Sequence, residues 1–321
     1  MSSIDLTKLN DKLGAYCRSN KPALIGGILV AMKSLQYFVP MAGIKDKAPI
    51  MDLQMPASIV KPYNKTFNAS TGVEFVPREI QVRTCKVELE LEPLAYEHTY
   101  LGHSLKVGTS TKNIPFEAFL MQKIIEKAQK DVELNGIFKG VYNAGGTTAS
   151  ATMDGLLTII NQEIAAATMT EANGKVIDLG ANITSTDTVA TLEGFFESAA
   201  NPEYWESDYF YLLCSPEIAS FYNQDYREKH GSLPYNSQYQ KRFMDVGNGK
   251  NVEIVPMAGM AGEKRVILVP SWNIFWGTDM LSDMESIDVQ KHDWVLHVLI
   301  AFKMGVQIGS LDYCWVNKVY P

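Results

Sequence analysis

The sequence predicts an α+β protein organised around one very long strand and one long helix, with a highly charged strand beside them. The first observation is the run Trp294, Leu296, Val298, Ile300, Phe302, Met304, Val306 and Ile308, apolar at every second position. Strand side chains alternate between faces, so these eight line one face. At ~3.3 Å per residue the run reaches roughly 50 Å, whereas globular strands usually stop at ~3 to 10 residues. A strand broken by a bulge at Gly305 in an ordinary enzyme also fits this segment. The second observation is a helical period from about Pro115 to Asn135, with Phe116, Phe119, Leu120, Ile124, Ala128 and Val132 spaced by threes and fours. The third is the alternation of Cys85, Val87, Leu89 and Leu91 with Lys86, Glu88, Glu90 and Glu92, a strand with one charged face.

The 321 residues suffice for one large or two modest domains, and 46% hydrophobic content supports a substantial core. A formal charge of −7 and a pI near 5.4 argue against a protein whose main partner is nucleic acid held by its phosphates. Cys17, Cys85, Cys214 and Cys314 have no paired spacing, so neither a zinc module nor a disulfide framework is expected, and a reducing compartment fits best. Asp5, Lys8, Asp11 and Lys12 interrupt the N-terminus early, unlike a secretory signal. The stretch from Pro22 to Val39 contains Lys33 and falls short of the ~20 apolar residues of a membrane span.

Along the chain, Leu6, Leu9 and Leu13, then Leu29, Met32 and Leu35, form short helical patterns before the Pro- and Met-rich stretch Pro49 to Pro56. This part is read as an arm ordered by lying on other elements or on a neighbouring copy; a helical N-terminus packed on its own chain is the other reading. Residues 58 to 105 turn β-like, with the turn formers of Phe67 to Val73 marking the soft tip of a two-stranded excursion. For the long helix, Asn113 can cap the start, Pro115 suits the first turn, Glu117 favours the positive end of the dipole and Asn135-Gly136 provides the stop. A Gly-, Ser- and Thr-rich loop from Gly140 leads through Met153-Asp154-Gly155 into a helical run from Leu156 to Thr168. Val189, Leu192, Phe195 and Phe196 mark a further helix, capped by Thr186 or Asp187. Tyr209 to Cys214 reads as a buried strand ended by Ser215-Pro216, and strands recur at Val252 to Pro256 and Arg265 to Pro270.

No catalytic, cofactor-binding or metal-binding residue is nominated. Gly247-Asn248-Gly249-Lys250 lacks the spacing of a phosphate-binding loop and fits a hairpin turn, and Gly145-Gly146 is a loop. His98, His103, His230, His292 and His297 show no helical metal pair. There is no nucleophile elbow, and Glu88, Glu90 and Glu92 need only solvent or a basic partner.

The order of elements resembles the tailed-bacteriophage major capsid proteins of the Hong Kong 97-like fold: arm, long β excursion, long helix, Gly-rich loop, α/β region, then the hairpin Met284 to Lys291 entering the long strand. By that resemblance residues 1–57 are an N-terminal arm and 58–110 an extended loop. Residues 111–140 and 279–310 are then a peripheral domain of spine helix and long strands, with Leu311 to Val316 a strand returning to an axial domain of 141–278 and 311–321. The resemblance implies a non-enzymatic virion protein, made in the bacterial host cytoplasm. It would assemble as many copies of itself, in hexamers and pentamers, around double-stranded DNA bound without sequence specificity. Portal and scaffolding or decoration proteins would be its partners, with no membrane and no cofactor; an encapsulin-type compartment shell is the alternative, and a cytosolic α/β enzyme a third. Lys61 and Lys65 lie in the extended-loop region, but no asparagine partner is matched, so noncovalent assembly is expected. The second face of the long strand, with His297, Lys303 and Gln307, is expected to meet solvent or the packaged interior.

Replacing Ile300 or Phe302 by Asp puts an unpaired charge on the buried strand face and is expected to abolish the folded circular-dichroism spectrum, whereas deleting residues 66 to 72 spares that spectrum but impairs assembly in sedimentation.

Overall fold

The central strand of the molecule is the run that stood out in the sequence, and the other elements are arranged along it. The computed structural model describes residues 11–20, 24, 32–54, 59–66, 68, 74–92, 116–199, 209–231, 252–279, 286–293 and 295–320. Residues 11–20 are helical, and after them in chain order come β1 (Val39–Met41), β2 (Lys47–Gln54), β3 (Glu74–Gln81), β4 (Arg83–Leu91), α1 (Phe116–Asn135), α2 (Leu156–Ala165), β5 (Val176–Ile177), α3 (Thr188–Ala199), β6 (Phe210–Cys214), α4 (Pro216–His230), β7 (Val252–Pro256), β8 (Ile267–Pro270), β9 (Ile274–Gly277), β10 (Ser286–His292), β11 (Val295–Ile308) and β12 (Trp315–Asn317). Short 3-10 turns lie at Ser34–Tyr37, Ala149–Ala151, Ala258–Met260 and Leu311–Tyr313.

Strand β11 runs unbroken for 14 residues. Leu296, Val298, Ile300, Phe302, Met304, Val306 and Ile308 are all buried on one face, as the alternation requires; Trp294 lies outside the described residues. One strand of this length survives because it changes partners. β10 pairs with it antiparallel from Val295 to Ala301 and β4 from Leu296 to Met304, and then β9 takes over from Gly305 to Ile308. Gly305 is therefore no bulge. It is a glycine because the chain passes against it: a Cβ there would sit 2.1 Å from the Gln81 carbonyl oxygen.

The buried face of β11 shares one apolar cluster with Met121, Ile124, Ile125 and Val132 of α1. At 20 residues and ~1.5 Å each, α1 extends about 30 Å. Phe119 and Leu120 are only half-buried while Met121 and Ile125 are fully so, which rotates the apolar stripe slightly from the expected one. The helix ends where expected, with the Gly136 amide donating to the Val132 carbonyl at 2.8 Å; Asn113, Pro115 and the Glu117 side chain fall outside the described residues. The Leu156 and Leu157 amides opening α2 donate to the Ile137 and Phe138 carbonyls, both at 2.9 Å, in place of a side-chain cap. That approach leaves no space at Gly155, whose added Cβ would lie 2.4 Å from Phe138 backbone atoms.

The second sheet has the order β5-β12-β8-β6-β7. One face packs on α3 and α4 through Phe195, Phe196, Phe210, Leu212 and Ile218; the other, with Leu213, Val255 and Val269, joins the cluster of β11. β6 is thus covered on both sides, which explains its uninterrupted apolar composition. Ser215 accepts the Ile218 amide at 3.3 Å, Pro216 follows in the first turn and Gly231 closes α4 at φ 67°, so both ends of this helix follow from side-chain chemistry.

Two expectations are corrected. Residues 47–54, where the sequence reading has no strand, form strand β2, paired antiparallel with β3 from Lys47↔Gln81 to Gln54↔Glu74. A two-stranded ribbon tolerates Pro49 because a missing amide there costs no ladder bond on its open edge. The returning segment near the C-terminus begins as a 3-10 turn at Leu311–Tyr313, and only Trp315–Asn317 is strand. The tip at Phe67 to Val73 (Asn68 excepted), the loop Gly247 to Lys250, and His98 and His103 lie outside the described residues.

Gly305→Val is expected to lower the urea midpoint, with a cost of about 3 kcal/mol or more, because the clash is with backbone that cannot step aside.

Candidate assembly surfaces

Among the described residues, the β2–β3 hairpin is held at its root. Ile44, Ile50, Ile80 and Val82 form a small buried cluster there, with Phe275 of β9 packed against it. Beyond Ile50 the ribbon leaves this support: Met51 is 78% exposed, and in the following loop Ile59, Val60 and Tyr63 are 60%, 89% and 92% exposed. A hollow of about 420 Å³ is lined, among the described residues, by Lys61, Pro62, Tyr63, Asn64, Thr66 and Asn68, all from this one loop.

At the other end of β11 the outer sheet face is acidic. Glu88 and Glu90 stand opposite Leu299 and His297, and Asp288 of β10 faces Leu299 from the other side. Lys86 pairs with Glu88 at 2.9 Å, while His297 lies 3.9 Å from Glu90 and stacks on His292 with ring centroids 5.4 Å apart. Val295, Leu299 and Ala301 run half-buried between these polar rows.

No family model matches the sequence, and no curated protein matches it. The architecture does match solved structures. A satellite phage P4 procapsid that includes the size determination (Sid) protein aligns with TM-score 0.55 at 10% identity, covering 92% of this chain and 98% of that one. The capsid of Myoviridae phage XM1 aligns with TM-score 0.52 at 11% identity over 90% and 92% of the two chains. This chain has the Hong Kong 97-like capsid fold. The holo-SrpI encapsulin complex from Synechococcus elongatus PCC 7942 is also similar, with TM-score 0.50 at 10% identity over 91% and 90%.

Within the capsid fold, the second face of β11 departs from expectation at Lys303. This residue is buried, not exposed: its Nζ lies 3.1 Å from Asp279 Oδ2 and donates to the Lys45 carbonyl at 2.6 Å, while Thr278 Oγ1 donates to the Lys303 carbonyl at 2.9 Å. The lysine thus ties β11 to the end of β9 and to the segment entering the hairpin. Nothing local in the sequence marks it, because its partners are remote in the chain. His297 and Gln307 are half-buried on the same face.

The remaining ionisable groups are arranged for structure. Burial pushes the Cys85 thiol up to about 11 and the Cys314 thiol up to about 12, so neither supplies a thiolate near neutral pH. Tyr209 donates to the buried Glu253 carboxylate at 2.5 Å; burial first, and then that hydrogen bond and charge, raise its pKa and keep the phenol a donor. Among the described residues no three of His, Cys, Asp and Glu are placed to hold a metal ion, and no helix is long and apolar enough to cross a membrane.

Asp279→Ala, which strands the buried ammonium of Lys303, is expected to cost about 3 kcal/mol by chemical denaturation, whereas the double change Lys303→Met with Asp279→Leu costs far less because both charges leave together.

Proposed function

We propose that this chain is a shell subunit that assembles, as many copies of itself in hexamers and pentamers, into the icosahedral head of a phage around double-stranded DNA. The observation that carries this reading is the hairpin that projects from the body and ends in exposed Ile59, Val60 and Tyr63. Apolar side chains so fully in water on a ribbon without a core of its own mark a contact surface. The strands lead this loop, with Lys61 and Lys65 and no acidic residue from 59 to 66, away from the end of β11 where Glu88, Glu90 and Asp288 gather. Surfaces of opposite character at opposite ends suit head-to-tail contact between identical copies, which closes into rings when the rotation allows.

In this role the protein performs no chemistry, is made in the bacterial cytoplasm and meets portal and scaffolding or decoration proteins, with residues 1–57 as arm, 58–110 as extended loop, 111–140 and 279–310 as peripheral domain and 141–278 and 311–321 as axial domain. Contacts between copies are noncovalent. The similarity to an encapsulin favours a second reading, a compartment shell around protein cargo. Nuclease-protected DNA in purified particles selects the phage head, and a stoichiometric second polypeptide without DNA selects the compartment.

Sedimentation and negative-stain microscopy of the purified chain are expected to show closed particles, and small oligomers under every assembly condition overturn the shell reading. Val60→Ser combined with Tyr63→Ser is expected to leave the melting temperature unchanged and raise the concentration needed for assembly by roughly tenfold or more, since truncating exposed anchor residues acts on contacts alone.

A further inference from the structure

One charged side chain ties the hairpin to two other elements of the body. Arg78 of β3 stands opposite Ile50, and the next pair outward, Met51↔Pro77, is already exposed. Its guanidinium is spread over two other elements. Nη1 lies 2.8 Å from Glu163 Oε1 of α2, Nε donates to the Ile308 carbonyl at 3.0 Å, and Nη2 donates to Gln307 Oε1 at 3.3 Å. Gln307 completes the hub, donating from Nε2 to the Glu79 carbonyl at 2.9 Å. The Arg78 and Glu163 side chains are only 13% and 21% exposed, so solvent screens their pair less than an ordinary surface pair.

These bonds differ in kind from the rest of the attachment. The apolar root cluster resists separation but is non-directional, and a two-stranded ribbon is marginal alone and free to twist. A planar guanidinium, by contrast, imposes its angles on every acceptor it binds. The strand pairs beyond Arg78 span about 13 Å at ~3.3 Å per residue, so a tilt of about 15° at this residue would move the end of the ribbon by about 3 Å, enough to break a packed contact.

We propose that Arg78 is the positioning residue that sets the pitch of the hairpin against the body, and through it the angle between neighbouring copies and the curvature of the shell. The part concerning curvature rests on the shell reading; the part concerning pitch does not.

Arg78→Lys separates the two roles of the residue, because an ammonium keeps the pair with Glu163 but cannot hold Ile308 and Gln307 in the same plane. Hydrogen exchange of the unassembled protein is expected to be about tenfold faster through residues 47–54 and 74–81 in this variant, with α2 and β11 as in the wild type. Its particles are expected to form with a shifted or broadened diameter in negative stain, a readout that lost stability alone does not move. Gln307→Leu, which removes one acceptor and the link to Glu79 without touching a charge, is expected to act in the same direction, and it serves as the test should Arg78→Lys fail to fold. Wild-type exchange in the hairpin, or particles of wild-type diameter, overturns the proposal. If the wild-type chain forms no particles, the shell reading fails, and hairpin exchange alone decides whether Arg78 sets the pitch.

Discussion

The attachment of the β2–β3 hairpin depends on the passage of β11 between two sets of partners at Gly305. A strand of 14 residues cannot keep a single neighbour along its length when that neighbour must also leave to form a projection. Here β3 and β4, separated by Val82 alone, run beside β11 from Leu91 to the Arg78 hub at Ile308, while β9 enters the ladder at the point where β4 ends. The two partners can meet only if the strand between them carries no side chain. Gly305 and its partner Gly277 supply that, for a Cβ on Gly277 would fall 2.9 to 3.0 Å from Ile44, Ile80 and Val82, the residues that root the hairpin.

The crossing explains why charge is buried nearby. At the switch the second face of β11 is roofed by the chain around Lys45 and Asp279, so a side chain at position 303 has no route to water. A buried ion pair is weak evidence for stability, since an apolar pair of the same volume often does as well. What Lys303 and Asp279 add is register: the ammonium is satisfied only if β11, the end of β9 and the segment entering β2 are mutually in place. A slip of one residue in β11 would exchange its two faces and put this charge in the apolar cluster around Phe302.

Much of the fold was legible in the sequence, and the rest was hidden for identifiable reasons. β11 and α1 were readable because periods of two and 3.6 persist over many residues, and the end of β6 because Ser215 and Pro216 act locally, whereas the close of α4 at Gly231 shows only in its positive φ. β2 was not, since Pro49 and the outward-facing Met51 interrupt its alternation and its pairing with β3 is set across the intervening loop. The loop residues Ile59, Val60 and Tyr63 resemble ordinary core formers until their exposure is known. Arg78 and Lys303 are single charges without a motif, and their meaning comes from acceptors on other elements, Glu163 and Ile308 for Arg78, Asp279 and Lys45 for Lys303.

A shell around a polyanion faces an electrostatic difficulty that the surface of α1 illustrates. Its outer side carries Lys123 and Lys127, residues that would otherwise attract phosphate. Two of its exposed lysines are matched within one turn, Lys123 by Glu126 at 2.7 Å and Lys127 by Asp131 at 2.5 Å, whereas exposed Lys130 has no such pair among the described residues. Exposed pairs of this kind contribute little to stability, typically about 0.5 kcal/mol, so fold stability is a poor reason for them. Their effect on the field is larger, because a paired lysine presents a dipole whose potential falls off faster than that of a free charge. In the proposed phage head, a net charge of −7 would let DNA be enclosed without being held.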